Sequence, residues 1–143
     1  MRNPSILGLD TQLDYLPEDM LKGFDPSAPF ESAGKLLFQF NKGLIDSLAD
    51  IVPCVKLQIA FYEMYGHHGI KTYIDSINYA RKKGMVIIAD AKRNDIGSTA
   101  GAYARAFLGQ TSFPDGVSRT AFNADILTVT AYLGEDGIMP FVE

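Results

Sequence analysis

Four short apolar runs, each leading into a polar residue, constrain this chain more than any other feature. Ser5-Ile6-Leu7-Gly8-Leu9-Asp10 ends on an acid, Ile51-Val52-Pro53-Cys54-Val55-Lys56 on a base, and Ala124-Asp125-Ile126-Leu127-Thr128-Val129-Thr130 on a hydroxyl. Met85-Val86-Ile87-Ile88-Ala89, bounded upstream by Lys83-Gly84, runs into Asp90-Ala91-Lys92-Arg93-Asn94-Asp95. Runs of this length read as buried strands. Segments with helical spacing separate them, so strand and helix alternate at intervals of roughly 35 to 45 residues, the pattern of βαβ units on a parallel sheet. Parallel strands put their carboxyl ends on one side, where α/β barrels carry their chemistry. Asp10, Lys56, Asp90, Lys92 and Thr130 are therefore expected to converge at one mouth.

The segment from Asp90 to Asp95 is the densest in chemistry. Side chains alternate along a strand, so Asp90 and Lys92 should point to the same side. Asp95 lies past the strand end, on a turn that can swing its carboxylate back over the other two. Two acids around one lysine can keep the amine charged and aimed.

The intervening segments supply the helices. From Asp14 to Phe30 the crossover is interrupted by Pro17, Gly23, Pro26 and Pro29, and its carboxylates Asp14, Glu18, Asp19 and Asp25 read as a solvated face. Ala33, Leu36, Leu37, Phe40, Leu44, Ile45 and Leu48 recur at helical spacing over 31–49. Tyr73, Ile74, Ile77 and Ala80 repeat that pattern over 70–83, closing on Arg81, Lys82, Lys83 and a terminal Gly84. Residues 97–108 form a third helix, with Ser98 or Thr99 as its cap or its amides as an anion site. Residues 109–123 read as a loop, and Leu133-Gly134-Glu135-Asp136 as the opening of a fourth helix.

Several chemistries are disfavoured. A net charge of −4 argues against a general nucleic-acid or anionic-membrane surface. No run is long enough to span a bilayer, and the amino terminus lacks a signal-peptide pattern. The one cysteine, Cys54, allows no intrachain disulfide and reads as a core residue in a reducing compartment, the cytoplasm. His67-His68, between Gly66 and Gly69, would point apart on a strand or turn and make a weak metal site. There is no phosphate-cradling Gly-rich motif and no Gly-x-Ser-x-Gly elbow.

Asp90-x-Lys92-x-x-Asp95 followed by Ile96-Gly97-Ser98-Thr99-Ala100 resembles the signature of the orotidine 5′-phosphate decarboxylase family, in its bacterial second type. Leu7-Gly8-Leu9-Asp10 is similar to the family's first strand, Val55 to Glu63 to its second, and Leu127 to Gly134 to its fourth; Thr130-Ala131 departs from the more usual Asn-Pro. The resemblance implies a (β/α)8 barrel that converts orotidine 5′-monophosphate to uridine 5′-monophosphate without metal or other cofactor. It implies Lys92 as charge and proton donor, Asp90 and Asp95 beside it, Lys56 bridging Asp90 and the ribose, and Asp10 on a ribose hydroxyl. It further implies a homodimer in which Asp95, Ile96 and Thr99 complete the partner's site, Ile96 walling the pyrimidine, Thr99 meeting the ribose and Thr130 contacting the base. One rival is a Mg²⁺-dependent sugar-phosphate decarboxylase or aldolase of the same suprafamily, which holds its metal through an acid where Lys56 stands here. The other is a non-catalytic half-barrel that serves assembly.

At 143 residues the chain is short of the roughly 250 typical of a full barrel. The expectation is an amino-terminal half of a (β/α)8 barrel, about four strand-helix units over residues 1–143, truncated before the phosphate-binding half. Such a half leaves open strand edges and should associate or need its missing part, with little or no turnover alone.

Overall fold

A computed structural model describes residues 3–142, which form an α/β fold of two compact units divided between Ile87 and Ile88. In the first unit, β1 (Ile6–Gly8) lies parallel to β2 (Cys54–Gln58), with Leu7 opposite Val55 and Gly8 opposite Lys56. The Leu9 amide extends this ladder to the Lys56 carbonyl at 2.8 Å. Pro53 has no amide to give, so β2 starts one residue later and runs past Lys56 to Gln58. Lys56 is thus mid-strand and not terminal. The segment resembling a longer second strand leaves the sheet after Gln58 and turns helical from Ala60.

After a short helix α1 (Glu18–Leu21), the crossover becomes the long helix α2 (Pro29–Leu48). Proline at the first helical position has no amide to waste, which sets the start two residues ahead of the apolar spacing. The segment after β2 contains α3 (Ala60–Glu63) and then α4 (Gly66–Lys82). Ala33, Leu36, Leu37 and Ile45 of α2 and Tyr73, Ile77 and Ala80 of α4 are buried, as the apolar stripes require, together with Leu9, Val55, Leu57 and Tyr62. Gly69 lets α4 approach α3: a Cβ there would stand 1.8 Å from the Tyr62 carbonyl oxygen. The carboxylates Asp14, Glu18, Asp19 and Asp25 are exposed, as read.

Helix α4 begins at Gly66 and not at Ile70, so His67 and His68 sit in its first turn. Their ring centroids are 3.9 Å apart, which corrects the expectation that they diverge. The helix closes at Gly84, whose φ of 79° suits glycine after a helix end. The Val86 amide, at the start of β3 (Val86–Arg93), then donates to the Pro53 carbonyl at 2.9 Å.

In the second unit, β3 pairs in parallel with a strand further along the chain, and α5 (Gly97–Phe107) follows it. The expected loop contains a small hairpin, β4 (Thr111–Ser112) against β5 (Ser118–Arg119), turned at Gly116 with φ of 77°. The Asp115 carboxylate closes it by accepting from the Val117 amide at 3.0 Å and pairing with Arg119 at 2.6 Å. The partner of β3 is β6 (Ile126–Val129), with Ile88 opposite Ile126 and Ala89 opposite Leu127. The expected fourth helix is absent among the described residues: Glu135–Gly137 and Met139–Phe141 are single 3-10 turns, where Gly134 takes φ of 81° and Pro140 lacks a donor. No helix among the described residues is long and apolar enough to cross a membrane.

Candidate active site

In the first unit the Lys56 ammonium meets both oxygens of Asp10, at 2.8 and 2.6 Å, and the Gln58 amide donates to Asp10 Oδ1 at 3.1 Å. Asp10 stands two residues past the end of β1, and the register that sets Gly8 against Lys56, continued by the Leu9 amide, brings its carboxylate within reach of the Lys56 ammonium. Beneath them lies a buried polar network. The Tyr62 hydroxyl donates to the Leu9 carbonyl at 2.5 Å, and the Thr11 hydroxyl donates to Asn41 Oδ1 at 2.9 Å. Asn41 in turn donates to the Tyr62 hydroxyl and to Ser76 Oγ, both at 3.0 Å. Burial pushes the Tyr62 phenol up to about 12, so it stays a neutral donor. The residues on both sides of Asp10 are thereby tied to α2, α3 and α4.

In the second unit β3 carries the other pair. Asp90 and Lys92 share a face, opposite buried Ala89 and Ala91, and the ammonium reaches Asp90 Oδ1 at 2.7 Å. The pairing of β3 with β6 shifts register between Ala89 and Arg93, and Lys92 there takes φ of 48°. A left-handed backbone costs a lysine about 1–2 kcal/mol. The Thr128 hydroxyl donates to Asp90 Oδ1 at 2.7 Å and accepts from the Lys92 amide at 3.0 Å. Thr128 was not among the residues singled out from sequence. Thr130 lies just past β6, where its amide donates to the Arg93 carbonyl at 3.0 Å and its hydroxyl leans on the Lys92 carbonyl at 3.4 Å.

Asp95 lies between β3 and α5. Its Oδ1 accepts from the Ile96 amide at 2.8 Å, and among the described residues it makes no ion pair. Ile96 is the residue before α5 and is 68% exposed, Thr99 is half-buried in the first turn, and neither Ser98 nor Thr99 caps the helix. Cys54 is half-buried at the start of β2. Among the described residues no three His, Cys, Asp or Glu side chains are gathered so as to hold a metal ion.

Parallel βα units with Asp–Lys pairs on their strands are those of a (β/α)8 barrel, here its amino-terminal part. The sequence model of the orotidine 5′-phosphate decarboxylase / HUMPS family matches residues 36–143, and the chain belongs to that family. It is 42% identical over 137 residues to orotidine 5′-phosphate decarboxylase of Rhodopirellula baltica, covering 96% of this chain and 44% of the relative. It is likewise 42% identical to that of Clostridium acetobutylicum, covering 95% of this chain and 42% of the relative. The chain thus spans less than half the length of these relatives. Among solved structures it resembles Leishmania donovani OMP decarboxylase, with TM-score 0.68, 25% identity and coverage of 96% and 43% of the two chains. A Streptomyces avermitilis protein provisionally assigned the same activity gives TM-score 0.72 at 31% identity, covering 99% of this chain and 44% of the other.

Proposed function

We propose that this chain is the catalytic amino-terminal half of an orotidine 5′-monophosphate decarboxylase acting in cytoplasmic pyrimidine biosynthesis. The observation that carries the reading is the Lys92–Asp90 ion pair at 2.7 Å, on a strand whose backbone is bent into a left-handed conformation at the lysine. Breaking the bond from C6 to the carboxylate releases carbon dioxide and leaves the electron pair on C6, in an orbital the ring does not delocalise. An ammonium beside that carbon stabilises the pair and then gives it a proton, and the neutral amine regains one from solvent. Asp90 keeps the amine charged until then. Asp10 and Lys56 serve the ribose, and Thr130 the pyrimidine. Ile96 and Thr99, on an exposed helix start, fit the role of completing a second subunit's site, with Asp95, in a homodimer. Lys56 already neutralises Asp10 at 2.6 Å, and a cation there repels a divalent metal, which disfavours the Mg²⁺-dependent branch of the suprafamily.

The test is turnover of orotidine 5′-monophosphate by the chain joined at its carboxyl end to the remaining barrel of the Rhodopirellula baltica relative. Activity should persist under EDTA and fall at least about 1,000-fold in Lys92→Ala, since one group is given both the electrostatic and the proton-donating role. Activity in Lys92→Ala within tenfold of the parent would overturn the mechanism. Loss under EDTA that Mg²⁺ restores would reassign the reaction.

A further inference from the structure

Thr128 uses its single hydroxyl twice. As donor it fixes Asp90 Oδ1, the oxygen on which the Lys92 ammonium also rests; as acceptor it holds the Lys92 amide. A hydroxyl has one hydrogen to give, so its direction is set by Asp90 and its lone pair is left for the amide. Both bonds act on one residue. Lys92 needs such holding, because its side chain is 61% exposed on a flexible stem and its backbone sits in a sparsely populated region. The main-chain bond from Thr130 to Arg93 pins the next residue but leaves the Lys92 amide to Thr128.

The geometry points to Thr128 as a positioning residue for the Lys92 ammonium. It acts through two handles, the orientation of the carboxylate that Lys92 leans on and the left-handed backbone from which its side chain departs. The inference rests on the reading of Lys92 as charge and proton donor. Thr128 itself has no part in the proton transfer. Valine has the shape of threonine and can make neither bond, whereas serine can make both.

The experiment compares Thr128→Val, Thr128→Ser and Thr130→Val in the joined barrel, with amide exchange of Lys92 followed by NMR. Displacing a reacting group by about 1 Å can cost on the order of 100-fold in rate. Thr128→Val should therefore lower kcat by roughly 10- to 100-fold with KM within about threefold. Thr128→Ser should return kcat to within about threefold of the parent, and Thr130→Val should act mainly on KM. The Lys92 amide should exchange at least about tenfold faster in Thr128→Val, having lost its acceptor. A Thr128→Val kcat equal to the parent's, a loss confined to KM, or a Thr128→Ser as slow as Thr128→Val would each overturn the proposal. If the unsubstituted barrel decarboxylates nothing, the proposed function has failed, and the exchange rates decide the positioning role alone: faster exchange in Thr128→Val supports it and unchanged exchange overturns it. If Thr128→Val does not fold, Thr128→Ala is read against Thr128→Ser by the same criteria.

Discussion

Replacing Asn41 by alanine removes the hub of the network beneath Asp10. Asn41 is fully buried and makes three side-chain hydrogen bonds, from Thr11 and to Tyr62 and Ser76. Each is worth about 1 kcal/mol net, and the partners left behind are themselves buried, so the loss is about 3 kcal/mol. At a urea m-value of about 2 kcal/mol/M this moves the unfolding midpoint down by roughly 1.5 M. Ser76→Ala breaks only the Asn41–Ser76 bond and should cost about 1 kcal/mol. The double variant should then cost about 1 kcal/mol less than the sum of the singles, because that bond is lost once and not twice. Urea unfolding followed by circular dichroism reads all three. An Asn41→Ala loss below about 1 kcal/mol, or strict additivity with Ser76→Ala, would refute the claim that Asn41 ties the chain around Asp10 to the helices.

The buried phenol gives a pH test. With Tyr62 raised to about 12 in the fold and near 10 when unfolded, the unfolded chain loses its proton first between these values. Stability is thus full below about pH 10 and falls as pH rises toward 12; Tyr62→Phe should flatten that fall in urea melts while costing stability at neutral pH. Gly69→Ala would drive a Cβ to 1.8 Å from the Tyr62 carbonyl, backbone that cannot rotate away. A loss of at least about 3 kcal/mol is expected, and a melting temperature near the parent's would show that α4 can shift away from α3.

The strands and the two long helices are legible because their signals are local: an apolar run, or a stripe at helical spacing, needs no knowledge of distant chain. Limits of that reading are equally physical. The two-residue strands of the hairpin at Thr111 and Ser118 are too short to show alternation, and Gly66 and Gly69 hide the first turn of α4. Asn41 did leave a signal, standing four residues after Leu37 and four before Ile45 on the buried face of α2, where a polar side chain needs partners. Those partners come from Thr11, Tyr62 and Ser76, whose meeting depends on packing.

The pair at the end of β3 shows where sequence periodicity stops being informative. Alternation correctly puts Asp90 and Lys92 on one face, but it places Thr128 and Thr130 on one face as well and offers no means of choosing between them. The choice is made by the register shift between Ala89 and Arg93, which brings the Thr128 hydroxyl, and not that of Thr130, to Asp90. The shift also leaves Lys92 at a positive φ that glycine would adopt without strain. A lysine kept at such a position gives up roughly 1–2 kcal/mol of stability. Packing does not account for it, since the side chain is largely exposed. What glycine could not supply at that point is an ammonium 2.7 Å from Asp90, and a strained backbone retained for a charged group is the pattern of a residue held for its chemistry.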